Sequence, residues 1–406
     1  MRVNHRMFFC KGHFLIARLI KLLAILLACL LSLDALACRF NVRDVGFVDL
    51  GSEPYRLYLF VGDAMPEAER ESLQSIATAT FYDSNVETQL LPLGHARQGE
   101  AKAFLPEGFT GEAPTAVLVS PDKKQTLLVP LAKRGVPILQ TAWDALESVL
   151  DTPRRNAVLK QVFDCYGVVL IIEGRDAGEN RRIRSMADAV ISEITAKLPG
   201  LEKEIKQPPV VEVISPDDFA DERAFLWSLG VREVLDTPQV LMLYGRGRMI
   251  GPVLRGERLS QPTVSAILNT IGLNCECGLD RKWMQGVMVP LKWDRDRKQE
   301  IAKHLGFNPE SPEIRIEMSQ ILAKGGVGQG INRSKLIGDT LDELLTGYRS
   351  GSLAANKPPP PLGQAMEPSV VAEKSRFSML AWVAIAAAAI LAIGGVILLT
   401  ARRRGL

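Results

Sequence analysis

From residue 55 onward, short unbroken apolar runs alternate with stretches whose apolar residues recur every three or four positions. Tyr55-Arg56-Leu57-Tyr58-Leu59-Phe60-Val61 and Val168-Val169-Leu170-Ile171-Ile172 are runs of the length and density of strands buried on both faces. A helical pattern follows each: Pro66 to Tyr82 after the first, and Ile183, Met186, Val190, Ile194 and Leu198 on one face after the second. Val86 to Leu91 and Val210 to Ile214 read as second strands. A proline then opens a pair of apolar runs in each half, at Pro114 to Val129 and at Thr237-Pro238 to Gly256, and a helix closes each half, Ile138 to Leu150 and Leu259 to Ile271. Between second strand and hairpin, Ser215-Pro216-Asp217-Asp218 opens a helix ending near Gly230. In the first half a loop over 93–113, with Gly94, Gly99, Gly108 and Gly111, takes that helix's place. The plan is written twice.

This order of strand, helix, strand, proline-opened hairpin and helix resembles the thioredoxin-like superfamily. The resemblance implies an α/β fold of two tandem thioredoxin-like units, each a three-layer α/β/α sandwich. In that family a cis-proline opens the hairpin and lies against a Cys-x-x-Cys pair at the start of the first helix. The corresponding turns here, Gly62 to Glu67 and Gly174 to Glu179, hold neither cysteine nor serine. A thiolate at a helix N-terminus is the nucleophile of disulfide exchange, so both units are degenerate at the family's position. What the resemblance leaves is a groove beside Pro238, bordered by Thr237, Arg175 and Asp176, able to hold an extended peptide.

The two ends frame these units. Arg2, Arg6, Lys11, Arg18 and Lys21 precede an apolar run from Leu22 to Leu33 and an Ala35-Leu36-Ala37 site, the parts of a secretory signal over 1–37. Met379 to Ala401 is uncharged and ends in Arg402-Arg403-Arg404, which reads as one membrane-spanning helix (377–401) with a cytoplasmic tail (402–406). Between them the expected domains are a first unit over 38–159, a second over 160–278, a helical collar over 279–350 and a Pro-rich stalk over 351–376. The collar's apolar faces fit either packing on the second unit or a partner. The implied location is a bacterial cytoplasmic membrane, single-pass, with the bulk of the chain periplasmic.

Composition changes this picture little: 47% hydrophobic and 23% charged residues suit a folded chain. The net charge of +3 comes from the basic ends; the portion between them is acidic and gives no footprint for nucleic acid. Arg175, Arg181, Arg182 and Arg184 gather at the start of one helix, as an anion site or as a solvated face paired with Asp176, Glu179 and Asp188.

After residue 37 there are four cysteines, Cys38, Cys165, Cys275 and Cys277. Three readings stand for Cys275-Glu276-Cys277: structural disulfides within this set, a strained redox pair, or a soft-metal site. His95 and His304 lie at no metal-ligand spacing from a cysteine, so neither a metal nor a cofactor is expected. The function these features favour is a non-catalytic binding or scaffold module for another envelope or membrane protein. The alternative is a thiol–disulfide oxidoreductase or metallochaperone using Cys275 and Cys277.

Overall fold

The computed structural model describes residues 40–133, 135–273, 284 and 286–324. Eight strands form two four-stranded sheets. In the first, β1 (Tyr55–Val61) pairs in parallel with β2 (Val86–Pro92) and antiparallel with β3 (Thr115–Val119), which pairs with β4 (Thr126–Pro130). The second repeats this with β5 (Val168–Ile172), β6 (Val210–Ile214), β7 (Gln239–Tyr244) and β8 (Arg248–Leu254). The orders β2-β1-β3-β4 and β6-β5-β7-β8 are the same. Each is the thioredoxin-like arrangement, and the fold is thioredoxin-like twice over.

The helices are α1 (Val42–Phe47), α2 (Glu67–Phe81), α3 (Leu93–Ala96), α4 (Ile138–Glu147), α5 (Pro153–Asp164), α6 (Ala177–Lys197), α7 (Arg223–Ser228), α8 (Gln261–Ile271), α9 (Arg295–Leu305) and α10 (Pro312–Lys324). In the first unit, α2 and α4 cover one face of the sheet through Leu73, Ala77, Ala142 and Leu146. The other face carries Tyr58, Phe60, Val117 and Val119, covered by Ala96, Ala101 and Phe104. The expected loop over 93–113 is thus a cover built of α3 and a 3-10 turn (Glu100–Phe104), with Phe104 stacked on Tyr58 at 5.6 Å. In the second unit α6 and α8 cover one face, through Ile183, Val190, Ile194, Val264 and Ile267, and α5 and α7 the other.

Packing distributes the chain differently from the expected boundaries. Residues 40–48 and the first part of α5 (153–159), placed by sequence in the first unit (38–159), belong to the cores of the second sheet: Val42 and Val45 on one face, Phe47 and Val158 on the other. The helix expected from Ser215 to Gly230 shortens to α7. Its missing part is a turn, because the Ser215 hydroxyl and backbone bind the Asp218 carboxylate and Glu222 turns inward. The Glu222 carboxylate accepts from the Thr152 hydroxyl and from Arg154 N and Arg155 N, so it caps α5, whose own Thr152 supplies no cap.

As far as it is described, the expected collar packs on the second unit. Ile301 and Leu305 enter one core, and Ile314, Met318 and Ile321 the other. Ahead of these helices, residues 286–293 lie as a strap across both units. Met249 N donates to Val287 O (2.9 Å) on the second sheet, while Asn85 Nδ2 donates to Val289 O (2.9 Å) and Leu291 N to Asn85 Oδ1 (2.8 Å) at the edge of the first. The 1–37 signal, the 351–376 stalk and the Met379–Ala401 span lie outside the described residues. Among the described residues no helix is long and apolar enough to cross a membrane.

Arg248 is the densest junction of these pieces. Its guanidinium, fully buried, donates from Nε to Gly46 O (3.2 Å), from Nη1 to Gly286 O (2.9 Å) and from Nη2 to Ser52 Oγ (3.1 Å), and pairs with Asp49 at 3.6 Å. Removing the guanidinium takes a donor from Gly46 O, Gly286 O and Ser52 Oγ and the paired cation from Asp49. Arg248→Met is expected to cost about 3–5 kcal/mol of stability, read as a shift of the urea midpoint.

Candidate binding clefts

The family's active position in the second unit is the start of α6. Asp176 is its N-cap, and its carboxylate accepts from Gly178 N (2.7 Å) and Glu179 N (3.1 Å). The helix N–H groups that would hold a thiolate or an anion are therefore occupied by this carboxylate. The facing loop is hydrogen-bonded directly to the turn: Arg175 N donates to Leu235 O (3.0 Å) and Asp176 N to Asp236 O (2.9 Å), with Arg175 and Asp236 ion-paired at 3.3 Å. Gly174 permits this contact, because a Cβ there would stand 2.2 Å from Asp236 O. Pro238 is buried behind the seam and Thr237 is exposed beside it. No cis peptide occurs among the described residues, so the Thr237–Pro238 bond departs from the family's cis-proline.

The four residues expected to border a groove are thus together, and the turn and the facing loop are joined by backbone hydrogen bonds. The neighbouring arginines are paired on the surface, Arg182 with Glu179 (2.8 Å) and Arg184 with Glu173 (2.7 Å). That is the solvated, paired face, with Glu179 a partner as expected and Glu173 and Asp236 in place of Asp176 and Asp188.

The same position in the first unit is open. Gly62 and Gly111 meet there as Gly174 and Asp236 do, a Cβ on Gly62 falling 2.4 Å from Gly111 O. Beyond this contact lies a cleft of about 490 Å³ whose walls include Ala64, Met65, Pro114 and Ile138 and whose rim carries Glu69 and Glu112. Its helix, α2, begins at Glu67, and Pro66 at the N-cap supplies no side-chain cap. Asp63, the counterpart of Arg175, turns away to accept from Gly94 N (3.0 Å). Val136, Leu139 and Trp143 are exposed apolar residues on and just before α4, the helix that also carries Ile138. Sequence reasoning placed the groove at Pro238 and missed this one; the available signal was Gly111, one of the loop glycines, placed three residues before Pro114.

Cys165 is a buried free thiol at the C-terminal end of α5. Its Sγ donates to Gln161 Oε1 (3.3 Å), and burial, then the nearby Asp164 carboxylate, push its pKa up, which makes it a poor nucleophile. Cys38, Cys275 and Cys277 lie outside the described residues. Among the described residues no group of three His, Cys, Asp or Glu side chains could hold a metal.

No protein-family model matches the chain, and no curated protein matches it. Solved structures that share similarity include human ERp44 in its zinc-bound form (10% identity, TM-score 0.19, covering 61% of this chain and 64% of that one). ERdj5 gives 12% identity and TM-score 0.19, with 53% and 26% covered. The first two thioredoxin domains of Naumovozyma dairenensis Eps1p give 9% and 0.20, with 53% and 90% covered. This chain therefore spans less than two thirds of the first two. TM-scores this low carry no argument, and the fold rests on strand order.

Two outcomes follow from this geometry. Gly174→Ala is expected to destabilise by about 1–3 kcal/mol in urea unfolding because its methyl meets backbone. Gly99→Ala, where a Cβ meets nothing, is expected to stay within about 0.5 kcal/mol. The second outcome concerns His304, whose Nε2 lies 3.5 Å from Arg43 Nη2. Burial, then the Arg43 and Lys206 charges, hold its pKa below the usual value against Asp164 and Glu300. The unfolded chain therefore takes up a proton near pH 6.5 that the folded chain refuses, and stability falls as pH drops through that range. The urea midpoint is expected to fall from pH 7.5 to 5.5, and by less in His304→Gln.

Proposed function

We propose that this chain is a non-catalytic binding module that takes an extended apolar and basic peptide segment of another envelope or membrane protein into the Pro114 cleft. It would be held at a bacterial cytoplasmic membrane by Met379–Ala401, with its bulk on the periplasmic side. The observation that carries the reading is the contrast between the two units: one position is closed by backbone hydrogen bonds and the other is an open, apolar-walled cleft. Pro114 opens β3 there, so a peptide entering the cleft meets a fixed backbone turn. Glu69 and Glu112 at the rim favour a basic segment, and the exposed Trp143 face gives it apolar surface to continue over. No sulfur or hydroxyl nucleophile stands among the cleft's lining residues, so binding is the chemistry it supports.

The test is fluorescence anisotropy of labelled apolar peptides, bearing either Lys or Asp, against the full chain. Lys-bearing peptides are expected to bind, and Ala64→Trp or Ala132→Trp, both at exposed cleft positions, to weaken them by about tenfold or more. Unchanged binding in both variants would remove the reading. Insulin reduction by the full chain that disappears in Cys275→Ser/Cys277→Ser would replace it with the thiol–disulfide alternative.

A further inference from the structure

The outer side of α4 is apolar where it meets solvent. Val136, Leu139 and Trp143 keep 42%, 36% and 45% of their surface exposed, which marks a surface for contact rather than a solvated helix face. Leu139, Trp143 and Glu147 are spaced four apart and so lie along one line of the helix, with Trp143 Nε1 donating to Glu147 Oε2 (3.2 Å) at its end. Val136 precedes that line in the turn leading into α4, where its N–H donates to Lys133 O (3.2 Å). The charges at the two ends run against the helix's own dipole. Acidic residues in the first turn and basic residues in the last stabilise a helix. α4 has no acidic residue in its first turn and no basic one in its last. Exposed Lys133 stands before its N-terminus instead, and Asp144 and Glu147 occupy its last turn. The stripe thus has a positive end and a negative end with apolar surface between them. Such a surface is complementary to itself when turned end for end.

We propose that this stripe pairs with the same stripe of a second copy of the chain, two α4 helices lying antiparallel across a two-fold axis near Leu139. Each copy's Trp143 then packs against the other copy's Val136, and the two Leu139 side chains meet at the axis. Each Lys133 lies beside the other copy's Glu147, and the opposed helix dipoles add to these two ion pairs. The charge placement that disfavours α4 alone is offset in the pair. A ten-residue helix is about 15 Å long, and one face of it falls short of the roughly 800 Å² per partner of a standard interface. The dimer is therefore weak and depends on concentration. A peptide leaving the Pro114 cleft over Trp143 takes the same stripe, so the second copy and that peptide exclude each other there.

The experiment is sedimentation equilibrium of the full chain in detergent micelles, from about 1 to 300 μM, with urea midpoints confirming that each variant is folded. The parent chain is expected to pass from monomer to dimer over this range. Lys133→Glu sets Glu against Glu147 across the axis, and Glu147→Lys sets Lys against Lys133. Each is expected to weaken its own dimer by about fivefold or more, and Trp143→Ala by at least as much. An equimolar mixture of the Lys133→Glu and Glu147→Lys chains makes both ion pairs attractive again, as does the double variant. Both are expected to dimerise within about twofold of the parent. A chain that stays monomeric, which leaves the stripe to a different protein, overturns the proposal. So does a dimer that Lys133→Glu and Trp143→Ala leave intact, which places self-association in another segment, and so do single variants that the mixture fails to restore. Ala64→Trp, which blocks the Pro114 cleft, leaves the dimer unchanged, so failure of either proposal is separable from the other.

Discussion

A single buried guanidinium governs how this chain is assembled. Arg248 sits on β8 of the second sheet, yet its hydrogen bonds run to Gly46 and Ser52 before β1 and to Gly286, beyond α8. A guanidinium has five N–H donors and cannot shed its charge, so its burial demands acceptors in a fixed arrangement. Three pieces of chain far apart in sequence must therefore be in place together. Gly46 and Gly245 fit the same requirement: Arg246 N donates to Gly46 O, and a Cβ on Gly245 would fall 2.4 Å from Gly46 C, so the hairpin tip and α1 touch backbone to backbone.

That constraint explains why strands were readable in the sequence and assembly was not. Each strand announces itself by a dense apolar run, and the repeated order gave both sheets and most helix faces, Ile183, Val190 and Ile194 among them. Periodicity tells that a face is buried but not which sheet buries it. Val42 and Val158 carry no mark of belonging to the second sheet rather than the first. Arg43, Arg155 and Arg248 look like solvated charges in the sequence and are almost wholly buried. Glu222 is unreadable for the same reason: its role as cap of α5 spans 67 and 68 positions.

The candidate sites divide along similar lines. The missing cysteines at both helix starts were plain from the sequence. Whether the position beside each hairpin proline stays open is decided by main-chain bonds, Arg175 to Leu235 and Asp176 to Asp236, and main-chain bonds leave little trace in residue identity. Two copies of one arrangement have thus taken different states. In the second unit, Asp176 and the facing loop consume the helix terminus; in the first, the 93–113 cover leaves the terminus of α2 beside an apolar recess.

The strap has a bearing on synthesis. Asn85 and Val289 are 204 positions apart, and the Asn85 side chain in the turn before β2 is paired through the strap. A chain threaded out in order from its N-terminus makes the first sheet early and must leave that edge bare while some two hundred further residues emerge. Contacts of such long separation form slowly, so that edge stays without its strap until the end of the second unit has been made.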